Sequence, residues 1–412
     1  MLRRLRIVRR FLALVRADPA GFRAGFVAHL LSTATGLAAG VTLGSITGTL
    51  EQLPGLLVLV PAAVGLRGNV YGALGSRLGT AVATGTFRLS ARRDTEVGQN
   101  LWAAASLSFG ASLLLALVAK GVAESFGVRN AMSIGDFVVV SVVGALIPTV
   151  VVMAITVGVA ALSVRREYDL DNVAAPVVTA AADMITLPSL FLAALLVIDA
   201  PRWLVAALAI ASAAATLTAL VGCLRSHLPV LRRIARESLP FLIAAGALST
   251  FAGVTIQSRF DSLSEEPALL IVIPPLLSLS GSLAGILSAR VATKLHLGLV
   301  SPDRFSPRPV VEDITLVYVI AIPIFLVLGI AADVIAAVAG IASPGVFEML
   351  ALMMLAGIVA TALSCVVAYF GALLTYRLGW DPDNNGIPMV SSASDFLGAA
   401  SLMVSLAILG LS

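Results

Sequence analysis

The chain has 412 residues, 59% of them hydrophobic and only 12% charged, with 27 Lys and Arg against 23 Asp and Glu. A soluble domain carries about 25% charge, so this composition excludes a soluble enzyme with a single anchor and makes lipid the solvent. At about 20 residues per spanning helix, the apolar residues supply roughly 11 or 12 spans, and an all-α integral membrane protein is expected.

Residues 1–23 alternate Arg3, Arg4, Arg6, Arg9 and Arg10 with Leu2, Leu5, Ile7 and Val8, then run from Phe11 to Val15. That apolar run is too short for a signal-peptide core, and a basic amphipathic helix on the inner leaflet is expected. Apolar segments follow at 24–48, 54–84, 101–122, 136–163, 173–199, 202–223, 239–259, 267–296, 311–340, 346–376 and 386–410, eleven in all.

In the first segment Gly36, Gly40, Gly44 and Gly48 recur every four residues, which reads as close helix packing. His29 there reads as a helix-contact residue. The second segment holds Pro61, then Arg67, then Gly68-Asn69, with Arg77 near its end. Gly and Pro permit a break whose freed carbonyls line a water-filled path, with an amide oxygen from Asn69; packing through small residues is the plainer alternative. Arg77 snorkels to headgroups, but Arg67 lies too deep. A guanidinium there would repel a cation, so it either binds a broken-helix carbonyl or pairs with Asp183 or Asp395 as a gate that the ion displaces.

Ahead of the fifth segment stand Asp169 and Asp171, then Pro176, Thr179 and Asp183 inside it. An Asp near a helix centre costs about 2.5–3.5 kcal/mol, so such acids face a pathway or a partner. Asp169 and Asp171 read either as helix N-caps or as acids that concentrate cations at an inner mouth.

The second half repeats the first. Pro54 to Gly85 aligns with Pro267 to Gly298 at a shift of 213 residues, and Tyr168 to Leu190 with Trp380 to Leu402 at a shift of 212. Asp169, Asp171, Pro176 and Asp183 thereby meet Asp381, Asp383, Pro388 and Asp395, while Gly68-Asn69 meets Gly281-Ser282. Each copy holds five spans, and the extra span at 202–223 keeps both copies in the same orientation, a 5+1+5 arrangement about a pseudo-two-fold axis along the membrane normal. The expected organisation is a basic segment at 1–23, a first domain at 24–200, a linker helix at 201–223 and a second domain at 224–412. One chain then plays the part of a homodimer.

With the N-terminus inside, twenty-one Lys and Arg fall on the inner side and four, Lys120, Arg129, Arg202 and Arg259, outside. The positive-inside rule gives a cytoplasmic N-terminus and an outside C-terminus in the cell (plasma) membrane. It also makes the net charge of +4 a matter of topology, with no nucleic-acid partner. Cys223 and Cys365 are far apart without metal-ligand spacing, and no His, Cys or Glu cluster indicates a catalytic metal.

Two matched carboxylates across an axis supply hard oxygen ligands suited to Mg2+, which accepts few carboxylates and keeps several waters; Thr179, Ser391, Ser392 and nearby carbonyls would bond those waters. Asp183 and Asp395 head the candidate metal residues, with Asn69, Thr179 and Ser391 beside them. Three alternatives stay open: a structural Asp pair, transport of Mn2+, Ca2+ or Co2+, and an intramembrane aspartyl protease. The protease needs a close dyad sharing a proton, commonly after Gly-x-Gly, whereas Asp183 follows Ala-Ala-Ala and Asp395 follows Ser-Ala-Ser.

Through VPAAVGLRGNVYGALGSRLGT, DLDNVAAPVVTAAADMITL and their second-half counterparts ending in PMVSSASDFLG, the chain resembles the MgtE family of Mg2+ transporters, in particular the two-domain solute-carrier branch of animals. The resemblance implies five-helix domains, a central pore on the dimer axis and Mg2+ held near Asp183 and Asp395, in a transporter without a cofactor and without enzymatic activity. Bacterial members carry a cytoplasmic sensor with CBS domains, for which the residues ahead of the first span leave no room; they also prefer Gly where Arg67 stands and Asn where Ser282 stands. These departures leave facilitated conduction and Na+- or H+-coupled exchange both open.

Overall fold

The computed structural model describes residues 19–166, 170–301, 308–379 and 386–411. Among them there is no strand, as expected where every backbone polar group must be satisfied without water. The helices are α1 (Pro19–Ser45), α2 (Thr47–Gln52), α3 (Leu56–Ala83), α4 (Glu96–Ser125), α5 (Ile134–Val138), a π-helical turn (Val139–Val143), α6 (Leu146–Arg166), α7 (Leu170–Asp199) and α8 (Arg202–Leu224). The second half adds α9 (Pro229–Gln257), α10 (Phe260–Glu265), α11 (Ala268–Ile271), α12 (Ile273–His296), α13 (Arg308–Ala339), α14 (Val346–Arg377) and α15 (Ile387–Leu409). Eleven stretches are long and apolar enough to cross a membrane, and they coincide with the eleven expected segments.

Three details differ from expectation. Helix α9 begins at Pro229, ten residues before the apolar segment: Leu231, Ile234 and Ala235 are buried while Arg232, Arg233 and Arg236 face outward, so its first turns are amphipathic and their charge hides them from a hydropathy reading. The fourth span is divided, with the π turn and Gly144-Ala145 separating α5 from α6, whereas its counterpart α14 is continuous. Neither second span breaks at its glycine: α3 runs through Gly68-Asn69 and α12 through Gly281-Ser282. The glycines admit a neighbouring helix instead of opening the backbone, which is the packing alternative.

The halves meet through reciprocal contacts. The first span of each half, α1 or α9, packs on the fifth span of its own half, α7 or α15, and on the second span of the other, α11 and α12 or α3. A Cβ at Gly40 would run into the Ile271 carbonyl, and one at Gly253 into the Val58 carbonyl. These are the same pair of positions exchanged, as a two-fold relation requires. At one end, Arg77 Nε donates to Asn100 Oδ1 at 2.8 Å, and its counterpart Arg290 Nε to Asp313 Oδ1 at 2.7 Å. Helix α8 has no counterpart. It lies against α4, α5 and α9 with Trp203, Ile210 and Leu217 exposed, the surface of a helix that faces lipid. The cysteines are buried and unbridged.

Candidate functional site

Asp183 and Asp395 are buried where the first, second and fifth spans of the two halves meet. Asp183 projects from α7, and its Oδ2 accepts a hydrogen bond from Ser278 Oγ of α12 at 2.9 Å. Ser278 in turn shares a 2.9 Å hydrogen bond with Ser32 of α1. Asp395 projects from α15, and its Oδ2 accepts from Ser249 Oγ of α9 at 2.8 Å.

The donors come from non-equivalent positions. Under the repeat, Ser278 corresponds to Gly65 and Ser249 to Gly36. Gly65 lies beside Asp395, where an added Cβ would stand 3.5 Å from Oδ2 and 3.6 Å from Ser249 Oγ. The first half therefore offers Gly at both positions and the second half Ser at both, so each carboxylate receives one hydroxyl and both hydroxyls come from the second half. A buried carboxylate without donors is costly; one donor fixes its rotamer and leaves the second oxygen open.

The second oxygen of Asp395 faces α12. A Cβ built on Gly281 would lie 3.6 Å from Asp395 Oδ1 and 2.5 Å from Ser391 Oγ, so Ser391, Asp395 and the backbone of Gly281 surround one small volume. The matching positions in the first half are looser: a Cβ on Gly68 would meet only Thr179, 3.9 Å from its Cγ2. Gly65, Gly68 and Asn69 share one stripe of α3 by their spacing, which puts half-buried Asn69 on the face that passes Asp395. Its counterpart Ser282 turns its hydroxyl to the Leu279 carbonyl at 3.1 Å.

Arg67 is wholly buried and bonds to neither carboxylate. Its Nη1 donates to Ala63 O at 3.3 Å and its Nη2 to Ser141 O at 3.4 Å, in the π turn of the fourth span. Neither arrangement weighed from the sequence is met as stated: among the described residues no carboxylate pairs with it, and its carbonyl partners belong to its own continuous helix and to the π turn, not to a break in the second span. Asp169, Asp381 and Asp383 lie outside the described residues; Asp171 falls within α7, but its side chain is not among those described.

The residues that sequence reasoning missed are Ser249, Ser278, Ser32 and Gly65. The sequence signal for three of them is that the second copy carries Ser249 and Ser278 where the first carries Gly36 and Gly65, while Ser32 stands opposite Ala245. Among the described residues no group of three His, Cys, Asp or Glu side chains gathers into a metal site; the arrangement is instead two carboxylates flanked by hydroxyls and glycine backbone, suited to a hydrated hard cation.

The profile of the MgtE family, described as a divalent cation transporter, matches this chain twice, over residues 60–193 and 273–405. Those segments hold the second to fifth spans of each copy. Among curated proteins, the chain is 26% identical over 391 residues to rat solute carrier family 41 member 3, covering 88% of this chain and 82% of that protein. It is 26% identical over 373 residues to the mouse protein of the same name, covering 85% and 75%. With human solute carrier family 41 member 2 it shares 23% over 391 residues, covering 85% and 63%. No solved structure matches.

Proposed function

The chain belongs to the MgtE family of divalent cation transporters, and from that premise we propose that its cargo is Mg2+, carried through a path between the two halves with Asp183 and Asp395 as the carboxylates that hold the ion. The observation that carries this reading is the matched pair of buried aspartates, each clamped through Oδ2 by one serine. Mg2+ takes one or two carboxylates and keeps several waters. Ser391, Thr179 and Asn69 supply hydroxyl and amide oxygens to those waters. Ca2+, which prefers six to eight oxygen ligands, finds fewer here.

The organisation that serves this path is a first domain at 24–200, a linker helix at 201–223 and a second domain at 224–412, after a basic segment at 1–23. The pseudo-two-fold axis runs along the membrane normal, supported by the reciprocal Gly40 and Gly253 contacts, so one chain is the equivalent of a homodimer. The excess of Lys and Arg places the N-terminus and the acids Asp169, Asp171, Asp381 and Asp383 on the cytoplasmic side of the plasma membrane, where the acids gather cations at the inner mouth.

The test is Mg2+ flux into sealed proteoliposomes holding a Mg2+-sensitive dye. Asp183→Asn with Asp395→Asn abolishes flux while the protein still elutes as a folded species; flux at the native rate with the native KM would refute the assignment. Imposed Na+ and H+ gradients separate conduction from coupled exchange, and competition by Mn2+, Ca2+ and Co2+ ranks the cations.

A further inference from the structure

Arg67 is a full charge inside the protein that the ion path does not use. The guanidinium is buried, its Nη groups donate over long distances to two carbonyls, and its Nε has no partner. Among the described residues no carboxylate pairs with it. Its counterpart in the second half is Ser280, buried and bonded through Oγ to the Leu276 carbonyl at 2.8 Å. The first half therefore holds a cation where the second holds a hydroxyl. Removing a charge from water is costly, and the two carbonyl contacts offset only part of that cost.

Position on α3 shows what the charge faces. Gly65 lies beside Asp395 and Gly68 against Thr179, and Arg67 stands between them in sequence. At 1.5 Å of rise per residue, Arg67 is within about 5 Å of both in membrane depth, and it points roughly 200° round the helix from Gly65. The guanidinium thus lies level with the carboxylates, on the far side of a helix about 10 Å wide. The matter between them is protein, in which charges are weakly screened.

We propose that Arg67 sets the affinity of the ion site: held behind α3 at the depth of the carboxylates, it weakens their hold on a divalent cation so that the ion is released and not trapped. The inference rests on the reading of Asp183 and Asp395 as the ion's ligands. Two carboxylates alone would be neutralised by one Mg2+, a trap in a low-dielectric interior. With Arg67 the three charges sum to −1, and a bound divalent cation leaves +1. A divalent ion feels twice the repulsion that a monovalent one does, so removing the charge strengthens divalent binding more than monovalent binding.

The experiment uses the full chain in lipid nanodiscs, with Mg2+ binding measured by titration calorimetry and flux measured in proteoliposomes. Arg67→Gln and Arg67→Met each tighten Mg2+ binding by at least about tenfold and slow turnover, while Arg67→Lys keeps native affinity. A purely structural role moves affinity the other way, so unchanged or weaker binding in both neutral variants overturns the proposal, and so does Arg67→Lys behaving like Arg67→Gln. Thermal melting of each variant confirms that folded protein is compared; if one neutral variant does not fold, the other decides. Asp183→Asn with Asp395→Asn distinguishes the two readings: Mg2+ binding that survives it refutes the ion site itself, whereas lost binding there with no effect of Arg67→Gln refutes only the role of Arg67.

Discussion

Gly281→Ala tests the site by filling it. The new Cβ would lie 2.5 Å from Ser391 Oγ, 3.5 Å from Ser391 Cβ and 3.6 Å from Asp395 Oδ1. The first separation is below any real carbon–oxygen contact, so the Ser391 hydroxyl must rotate away, and the methyl takes the space beside the open oxygen of Asp395. Overpacking of this kind costs about 1–3 kcal/mol. Because Ser391 is displaced and a water of the bound ion loses its place, the cost falls on the ion-bound state, and at 1.4 kcal/mol per decade Mg2+ affinity drops about 5- to 100-fold. Gly68→Ala is the internal control, since its Cβ would sit 3.9 Å from Thr179 Cγ2, an ordinary contact, and its Mg2+ KM stays within about twofold of native. Dye-monitored flux into proteoliposomes over a range of Mg2+ concentrations gives KM and maximal rate for the native chain and both variants, with melting temperatures recorded alongside. A native KM for Gly281→Ala, or equal impairment by Gly68→Ala, would refute the placement of the ion beside Asp395 and Ser391.

Ser249→Ala and Ser278→Ala each take the donor from one carboxylate. Hydrogen bonds to charged groups contribute about 1.5–3 kcal/mol, so each variant weakens Mg2+ binding by about tenfold or more, and Ser→Thr at either position keeps more affinity than Ser→Val; calorimetry on the native chain and these variants checks this, and native binding by both alanine variants would show that the clamps are incidental. Gly40→Ala and Gly253→Ala drive a methyl into the Ile271 and Val58 carbonyls respectively. Both lower the melting temperature, by similar amounts because the contacts are one contact seen twice, each costing about 1–3 kcal/mol or more; a large effect at one site with none at the other would contradict the two-fold relation.

The eleven spans were legible because a helix in lipid must bury about 20 apolar residues in a row, a local property that any window reports. The boundary that departs furthest, the start of α9, is where burial is carried by a single face and the charges of Arg232, Arg233 and Arg236 cancel the local signal. Asp183 and Asp395 were legible for the same energetic reason, since an acid in an apolar segment is rare enough to be noticed. Their serine donors were not, because Ser249 and Ser278 are unremarkable in composition and are brought to the carboxylates over 146 and 95 residues of chain. The glycines of the second spans misled in an instructive way: small residues permit either a broken helix or a close neighbour, and only the placement of Thr179 over Gly68 and Ser391 over Gly281 selects the second. Arg67 was visible at once as a misplaced charge, but a sequence does not fix which way a helix is rotated. Once Gly65 is known to face Asp395, the 100° step per residue turns Arg67 to the back of α3, away from the carboxylates, and a residue that looked like a latch on the ion path becomes a charge acting on it through the helix.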